Sequence, residues 1–85
     1  MVEIKHVIED KLGLHARPAG QLVKVVTAFK CKMQIGTAAK MVDAKSILGV
    51  MALALKQGDT LVMSFDGEDE AEAAEAVTAF LQENL

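Results

Sequence analysis

The spacing of apolar and polar residues changes several times along the chain, and each change predicts a different element. Residues 2–8 alternate with the period of a half-buried strand. Between residues 16 and 29 the apolar positions recur every three or four residues, which indicates an amphipathic helix. Two short strands are predicted at 31–35 and 40–44, and the turn 36–39 joins them.

The second half of the chain continues the alternation of helices and strands. Ser46 is predicted to open a second, short helix that closes at Gly58, because glycine readily takes the left-handed conformation of a helix C-cap. Residues 61–65 alternate as a fourth strand, and the final helix starts in the acidic run 68–70. The order β-α-β-β-α-β-α predicts an α+β fold. We expect an open-faced β-sandwich, in which three helices lie on one face of a four-stranded, mostly antiparallel sheet.

Length and composition fit one small globular domain over residues 1–85. The chain is 52% hydrophobic and 25% charged, and 85 residues leave room for a single core. No apolar run approaches the roughly 20 residues that cross a bilayer, so no membrane insertion is expected. Residues 1–5 lack the pattern of a secretory signal, and a cytoplasmic location is expected.

Cysteine usage argues against a metal, disulfide or redox site. Cys31 is the only cysteine and has no CxxC partner. We expect a small, half-buried side chain at this position, and no metal or organic cofactor. A small metal- or ligand-binding α+β domain is therefore a disfavoured alternative.

Charge is distributed unevenly along the chain. Residues 1–45 hold eight basic and four acidic residues, whereas residues 46–85 hold one lysine and eight acidic residues. The basic half does not indicate a nucleic-acid partner, because the chain has no Tyr or Trp to stack on bases. An acidic protein is the better candidate partner.

The segment 13–19, Gly-Leu-His-Ala-Arg-Pro-Ala, lies where the first strand passes into the first helix. Pro18 fits the first turn of a helix, which places His15 at or beside the helix cap. The free backbone N–H groups of Ala16 and Arg17, together with the Arg17 guanidinium, suit an anion such as phosphate. Two more bases are expected to strengthen the field, Lys24 and Lys45.

The residues alone leave two interpretations of His15 open. The ring is either a nucleophile that accepts a phosphoryl group or an ordinary polar loop residue. His6, the other histidine, falls on the apolar side of the first strand, where we expect an edge-of-core residue without a functional role.

Ser46 is first an N-cap, the commonest role of a serine before a helix. The helix that follows it is apolar on every side, and a small domain cannot bury all of that surface. We expect an exposed patch that contains Ile47, Leu48 and Met51. The alternative is that this helix only completes the core.

Two segments carry a resemblance to a known family. Residues 13–19 resemble the active-site signature of HPr, the phosphocarrier family of the phosphoenolpyruvate-dependent sugar phosphotransferase system. Residues 45–51, Lys-Ser-Ile-Leu-Gly-Val-Met, are similar to the regulatory-serine segment of the Gram-positive type. The likeness covers essentially the whole chain. Departures from the family pattern are minor: Gly20 replaces a larger residue, Leu48 replaces a frequent Met, and the turn 36–39 lacks Asn-Gly.

The resemblance implies a phosphocarrier that is a protein substrate and not an enzyme. His15 accepts a phosphoryl group from enzyme I and donates it to enzyme IIA domains, assisted by Arg17. Ser46 is implied as a target of HPr kinase/phosphorylase, and a catabolite-control transcription factor is implied as a further partner. A monomer is expected. The alternative is a regulatory HPr paralogue that acts mainly by binding a transcriptional regulator. The expected partner-binding residues are Gly20, Gln21, Lys24, Ile47, Leu48 and Met51.

Overall fold

The computed structural model describes all 85 residues and confirms the predicted order of elements. The elements are β1 (Val2–Val7), α1 (Ala16–Val26), β2 (Lys32–Gly36), β3 (Met41–Asp43), α2 (Ile47–Ala52), β4 (Thr60–Asp66) and α3 (Glu70–Asn84). The expected class, an α+β open-faced sandwich, is confirmed as well.

The four strands form one sheet in the order β1-β4-β2-β3, and every neighbouring pair is antiparallel. In β2, the side chains of Met33 and Ile35 are buried, whereas those of Lys32 and Gln34 are exposed. This alternation gives the sheet one covered and one open face. The core between the sheet and the helices is a single cluster of 19 buried residues.

Helix α1 ends earlier than its apolar pattern predicts, at Val26 and not near Phe29. The N–H groups of Ala28 and Phe29 donate to the carbonyls of Val25 and Val26, three residues back. The chain therefore tightens into turns after Val26, and Phe29 still packs against the core from outside the helix.

The predicted end of α2 is wrong. The helix stops at Ala52, and Gly58 is not its C-cap. The N–H groups of Leu53 and Ala54 donate three residues back, and Ala54 itself takes the left-handed conformation, with φ +50°. The chain then leaves the helix axis and buries Leu55. Gly58, with φ +92°, lies in the later turn that leads into β4.

The strands that flank the turn 36–39 differ slightly from their predicted bounds: β2 is shifted by one residue, and β3 is one residue shorter at each end. Gly36 belongs to β2 and has no positive φ. Its lack of a side chain is nevertheless required, because a Cβ there would lie 1.9 Å from the Lys40 carbonyl oxygen. Thr37 and Lys40 exchange backbone hydrogen bonds at 2.9 and 3.2 Å and close the turn.

Helix α3 begins in the acidic run, as predicted, but its cap residue is engaged elsewhere. The Asp69 carboxylate accepts hydrogen bonds from the backbone N–H groups of Lys30 (2.8 Å) and Cys31 (2.9 Å). These bonds, the Lys30 bond foremost, lower the pKa of Asp69. Cys31 is only 3% exposed, so it is buried more deeply than expected. Desolvation, followed by the contact with Asp69, raises the pKa of its thiol.

Candidate functional site

His15 is the N-cap residue of α1, and its backbone is extended, with φ −101° and ψ −176°. The loop before it is held by a backbone hydrogen bond from Leu14 N–H to the Leu55 carbonyl, at 2.9 Å. Gly13 makes this approach possible: its φ is +68°, and a Cβ would lie 2.3 Å from the Leu55 oxygen. The short segment after α2 therefore fixes the position of the histidine.

The first turn of α1 leaves two backbone donors unused beside the His15 ring. The Ala19 N–H donates to the His15 carbonyl at 3.0 Å, and Pro18 has no N–H. The N–H groups of Ala16 and Arg17 have no acceptor in the protein. The His15 side chain makes no capping hydrogen bond and is half-buried, so its ring is not engaged by the helix. This arrangement suits an anion next to the ring.

The ring borders a shallow depression of about 250 Å³. The residues that line it are Asp10, His15, Arg17, Pro18, Gln21 and Asn84. Arg17 is exposed and is the only basic residue among them. A planar guanidinium with several N–H donors matches the oxygens of a phosphoryl group. The structure thus brings His15, Arg17 and the two free amides to one place.

Sequence reasoning missed Asp10 and Asn84 in this site. Both are placed by the end of α3, which docks against the loop: the Leu85 carbonyl accepts hydrogen bonds from the N–H groups of Glu9 and Asp10. The same contact brings Asn84 into the depression, since this residue directly precedes Leu85. No local pattern signals a contact between residues more than 70 positions apart.

The expected contribution of two lysines to the field at His15 is wrong. Lys24 lies in the last turn of α1, about 13 Å along the helix axis from His15. The Lys45 ammonium donates to the Phe29 carbonyl at 2.8 Å, beyond the far end of α1. Arg17 alone supplies a basic side chain at the depression.

His6 lies at the edge of the core, in the position expected from the alternation of β1. It is half-buried opposite Leu61 of β4. Its Nε2 atom is buried and has no hydrogen-bond partner. This nitrogen is therefore shielded from solvent.

Ser46 caps α2 as expected. Its hydroxyl oxygen accepts a hydrogen bond from the Gly49 N–H at 3.3 Å, and its carbonyl accepts one from the Val50 N–H at 3.0 Å. The residue is exposed. The hydroxyl is therefore open to solvent while it caps the helix.

Helix α2 does not merely complete the core, because Val50 is its only buried residue. Ile47, Leu48 and Met51 are 42%, 79% and 41% exposed, which confirms the predicted exposed patch. Contiguous apolar surface of this kind is typical of interaction sites.

The expected partner-binding residues of α1 and α2 adjoin one another. Gln21 and Lys24 are exposed, while Gly20 is half-buried. Gly20 faces Ile47: a Cβ built on the glycine would lie 3.6 Å from Ile47 Cδ1. The expected partner-binding residues of α1 therefore lie next to the apolar patch of α2.

Two further features of the structure bear on ligands and membranes. No three His, Cys, Asp or Glu side chains lie close enough together to hold a metal ion. None of the three helices has the length and apolar character of a membrane span.

Comparison with known proteins agrees with this geometry. The family model for the PTS HPr component phosphorylation site matches residues 2–83. A phosphocarrier protein HPr from Lysinibacillus sphaericus is 50% identical over 74 residues, which are 87% of this chain and 84% of that protein. The crystal structure of HPr from Thermoanaerobacter tengcongensis has a TM-score of 0.91 at 38% identity, and the match covers 96% of this chain and 92% of that one. The crystal structure of Crh from Bacillus subtilis, described as a swapped dimer, has a TM-score of 0.77 at 39% identity over 100% and 98% of the two chains.

The fold and the site define a class of small α+β phosphocarriers, which present a histidine at the N-terminus of a helix. Within that class, the chain belongs to the HPr family of the phosphotransferase system. The resemblance seen in residues 13–19 and 45–51 is thus confirmed at the level of the family.

Proposed function

We propose that His15 is the residue that carries the phosphoryl group, which it takes from enzyme I and passes to enzyme IIA domains. The observation that carries this assignment is the half-buried ring at the N-cap, beside two backbone N–H groups without acceptors. A ring nitrogen forms a bond to phosphorus, and the phosphorus–donor bond breaks with its electron pair leaving on the donor. The Ala16 and Arg17 N–H groups and the Arg17 guanidinium stabilise the phosphoryl oxygens.

In this proposal the protein is a transiently phosphorylated substrate of phosphotransferases and not an enzyme. It works without a metal or organic cofactor, as a monomer in the cytoplasm. The open rim of the depression supports this role, because a carrier must expose its phosphoryl group to a second protein. The apolar side chains of Ile47, Leu48 and Met51, with Gln21 and Lys24 beside them, form the docking surface for both partners.

Incubation with phosphoenolpyruvate and enzyme I tests the assignment. The intact mass of the wild-type protein should increase by one phosphoryl group, and His15→Ala should abolish the increase. His6→Ala is the matched control and should be phosphorylated like the wild type. Loss of the label in His6→Ala together with its retention in His15→Ala would show that the assignment is wrong.

We further propose that Ser46 is a regulatory site for HPr kinase/phosphorylase. Its exposure and its place beside the apolar patch support this role. A phosphate at an N-cap meets the positive end of the helix, so the fold should survive, and the effect should fall on partners. Incubation with HPr kinase/phosphorylase and ATP should phosphorylate the wild type and leave Ser46→Ala unlabelled.

The second candidate function is regulation through binding of a catabolite-control transcription factor. The similarity to Crh and the exposed apolar face of α2 favour it as an additional or alternative role. Phosphorylated and unphosphorylated protein should be compared for binding to such a factor. A chain that binds the factor but gains no phosphoryl group from enzyme I would be a regulatory paralogue.

A further inference from the structure

The depression at His15 contains a carboxylate whose position the fold holds firmly. The Oδ1 atom of Asp10 accepts a hydrogen bond from the Leu12 N–H at 2.9 Å, and the Asp10 carbonyl accepts one from the Gly13 N–H at 2.9 Å. The Asp10 N–H donates to the Leu85 carbonyl. The N–H and the carbonyl of this half-buried residue are thus both hydrogen-bonded, and Asp10 stays in the depression that His15 also lines.

The charge of this carboxylate is not neutralised within the protein. Its Oδ2 atom has no hydrogen-bond partner, and Arg17 lies beyond ion-pair distance although both residues line the depression. The only ion pair in the protein joins the Met1 amino group to Glu70. The guanidinium therefore remains free for an incoming anion, while Asp10 presents a negative charge to the same space.

We propose that Asp10 keeps the phosphorylated histidine labile, and so sets how readily this protein gives up its phosphoryl group. The inference rests on the proposed role of His15. The Asp10 carboxylate and the phosphoryl group are like charges in one depression, which raises the free energy of the phosphorylated state.

This repulsion between the Asp10 carboxylate and the phosphoryl group accelerates cleavage of the phosphorus–nitrogen bond. When water is the acceptor, its oxygen forms the new bond to phosphorus and loses a proton. The phosphorus–nitrogen bond breaks, and its electron pair returns to the ring nitrogen, which takes up a proton. Arg17 and the two free amides hold the phosphoryl oxygens, and Asp10 limits how tightly they are held.

The experiment compares the half-life of the phosphorylated protein between the wild type and Asp10→Asn. Asparagine keeps an oxygen that accepts from the Leu12 N–H and removes only the charge. We expect a half-life that is roughly two- to fivefold longer, the range typical of one partly exposed charge interaction. The difference should shrink as salt is raised, since salt screens exposed charges. Asp10→Glu should restore lability close to that of the wild type.

Two controls separate the possible outcomes. Glu83→Gln removes an exposed carboxylate of α3 that lies outside the His15 depression, and its half-life should match that of the wild type. Asp10→Ala removes the charge together with the Leu12 hydrogen bond. An altered half-life in Asp10→Ala with an unchanged one in Asp10→Asn would overturn the inference, since the loop and not the charge would then matter. If no label forms on His15 in the wild type, the proposed function itself fails.

Discussion

Gly20 of α1 and Ile47 of α2 meet where the two helices adjoin, and a Cβ on Gly20 would lie 3.6 Å from Ile47 Cδ1. This distance is an ordinary van der Waals contact, so the glycine is not required for packing. Gly20 lowers the stability of α1, because glycine has greater backbone freedom than alanine in the unfolded chain. The contact places α1 next to the exposed apolar side chains of α2.

Gly20→Ala should therefore stabilise the protein. We expect the free energy of unfolding to rise by about 0.5–1 kcal/mol, the usual difference between glycine and alanine inside a helix. Urea unfolding followed by circular dichroism measures this change. A decrease of similar size would mean that α1 and α2 are packed more closely than the 3.6 Å contact indicates.

Gly13→Ala should have the opposite effect and should also impair the site. Alanine at φ +68° is strained, and its Cβ would lie 2.3 Å from the Leu55 oxygen. The loop must shift, and the Leu14–Leu55 hydrogen bond that positions His15 should be lost. We expect the free energy of unfolding to fall by more than about 2 kcal/mol, with slower phosphorylation by enzyme I.

Gly58→Ala is the matched control for this substitution. Gly58 also has a positive φ, of +92°, but a Cβ there would meet no atom within 4 Å, so only backbone strain is added. It should lower the free energy of unfolding by about 1 kcal/mol and leave the phosphorylation rate unchanged. Equal losses of stability and activity in the two variants would contradict the role assigned to the Leu55 contact.

Acid should weaken the hydrogen bonds between the Asp69 carboxylate, at the start of α3, and the backbone that leads into β2. The pKa of Asp69 is lowered from 3.8 by its bonds to the backbone N–H groups of Lys30 and Cys31. Its contribution to stability is therefore complete above pH 3.8 and is lost as the pH falls through the lower pKa of the folded state. Asp69→Ala should reduce the thermal midpoint most at neutral pH and progressively less in acid.

Glu75→Gln provides a comparison on the same helix, because Glu75 is exposed and makes no hydrogen bond or ion pair. Its thermal midpoint should follow that of the wild type at every pH. If the difference between Asp69→Ala and the wild type were constant down to strongly acidic pH, the carboxylate bonds would not be the source of the stability.

Ser46 substitutions should separate stability from partner binding. Ser46→Ala loses the cap of α2 and should lower the free energy of unfolding by about 1 kcal/mol. Ser46→Asp keeps an acceptor at the cap and should remain folded, yet it should slow phosphorylation by enzyme I, because its charge repels an acidic partner. The effect should be smaller than that of a phosphate. If Ser46→Asp melted far below the wild type, lost stability and not charge repulsion would explain any slower phosphorylation.

Local sequence patterns predicted most of the strands and helix starts, because strand alternation and helix capping depend on residues that are close together in the chain. The alternation in β1 follows directly from a sheet with one covered face, whereas in β4 Val62 is buried together with its neighbours Leu61 and Met63. Pro18 and Ser46 mark helix starts, because capping is a matter of neighbouring residues. The resemblance carried by residues 13–19 and 45–51 identified the family, which helix and strand patterns alone could not do.

The incorrect predictions concern residues whose conformation or position is set by contacts with distant parts of the chain. Gly58 looked like the end of α2, but burial of Leu55 and its bond to Leu14 end that helix earlier, with an alanine in the left-handed conformation. Lys45 was expected near His15, but it caps the Phe29 carbonyl instead. Asp10 enters the site only because the end of α3 docks on its loop.

The assignment of the phosphoryl group to His15 can be checked at the level of the peptide that carries it. Enzyme I and phosphoenolpyruvate label the protein, and digestion after lysine under alkaline conditions, which preserve phosphohistidine, separates the two histidines. Residues 12–24 contain His15 alone, and residues 6–11 contain His6 alone. We expect an acid-labile phosphoryl group on the peptide 12–24. A label on the peptide 6–11, or no acid-labile label on either, would show that His15 is not the carrier.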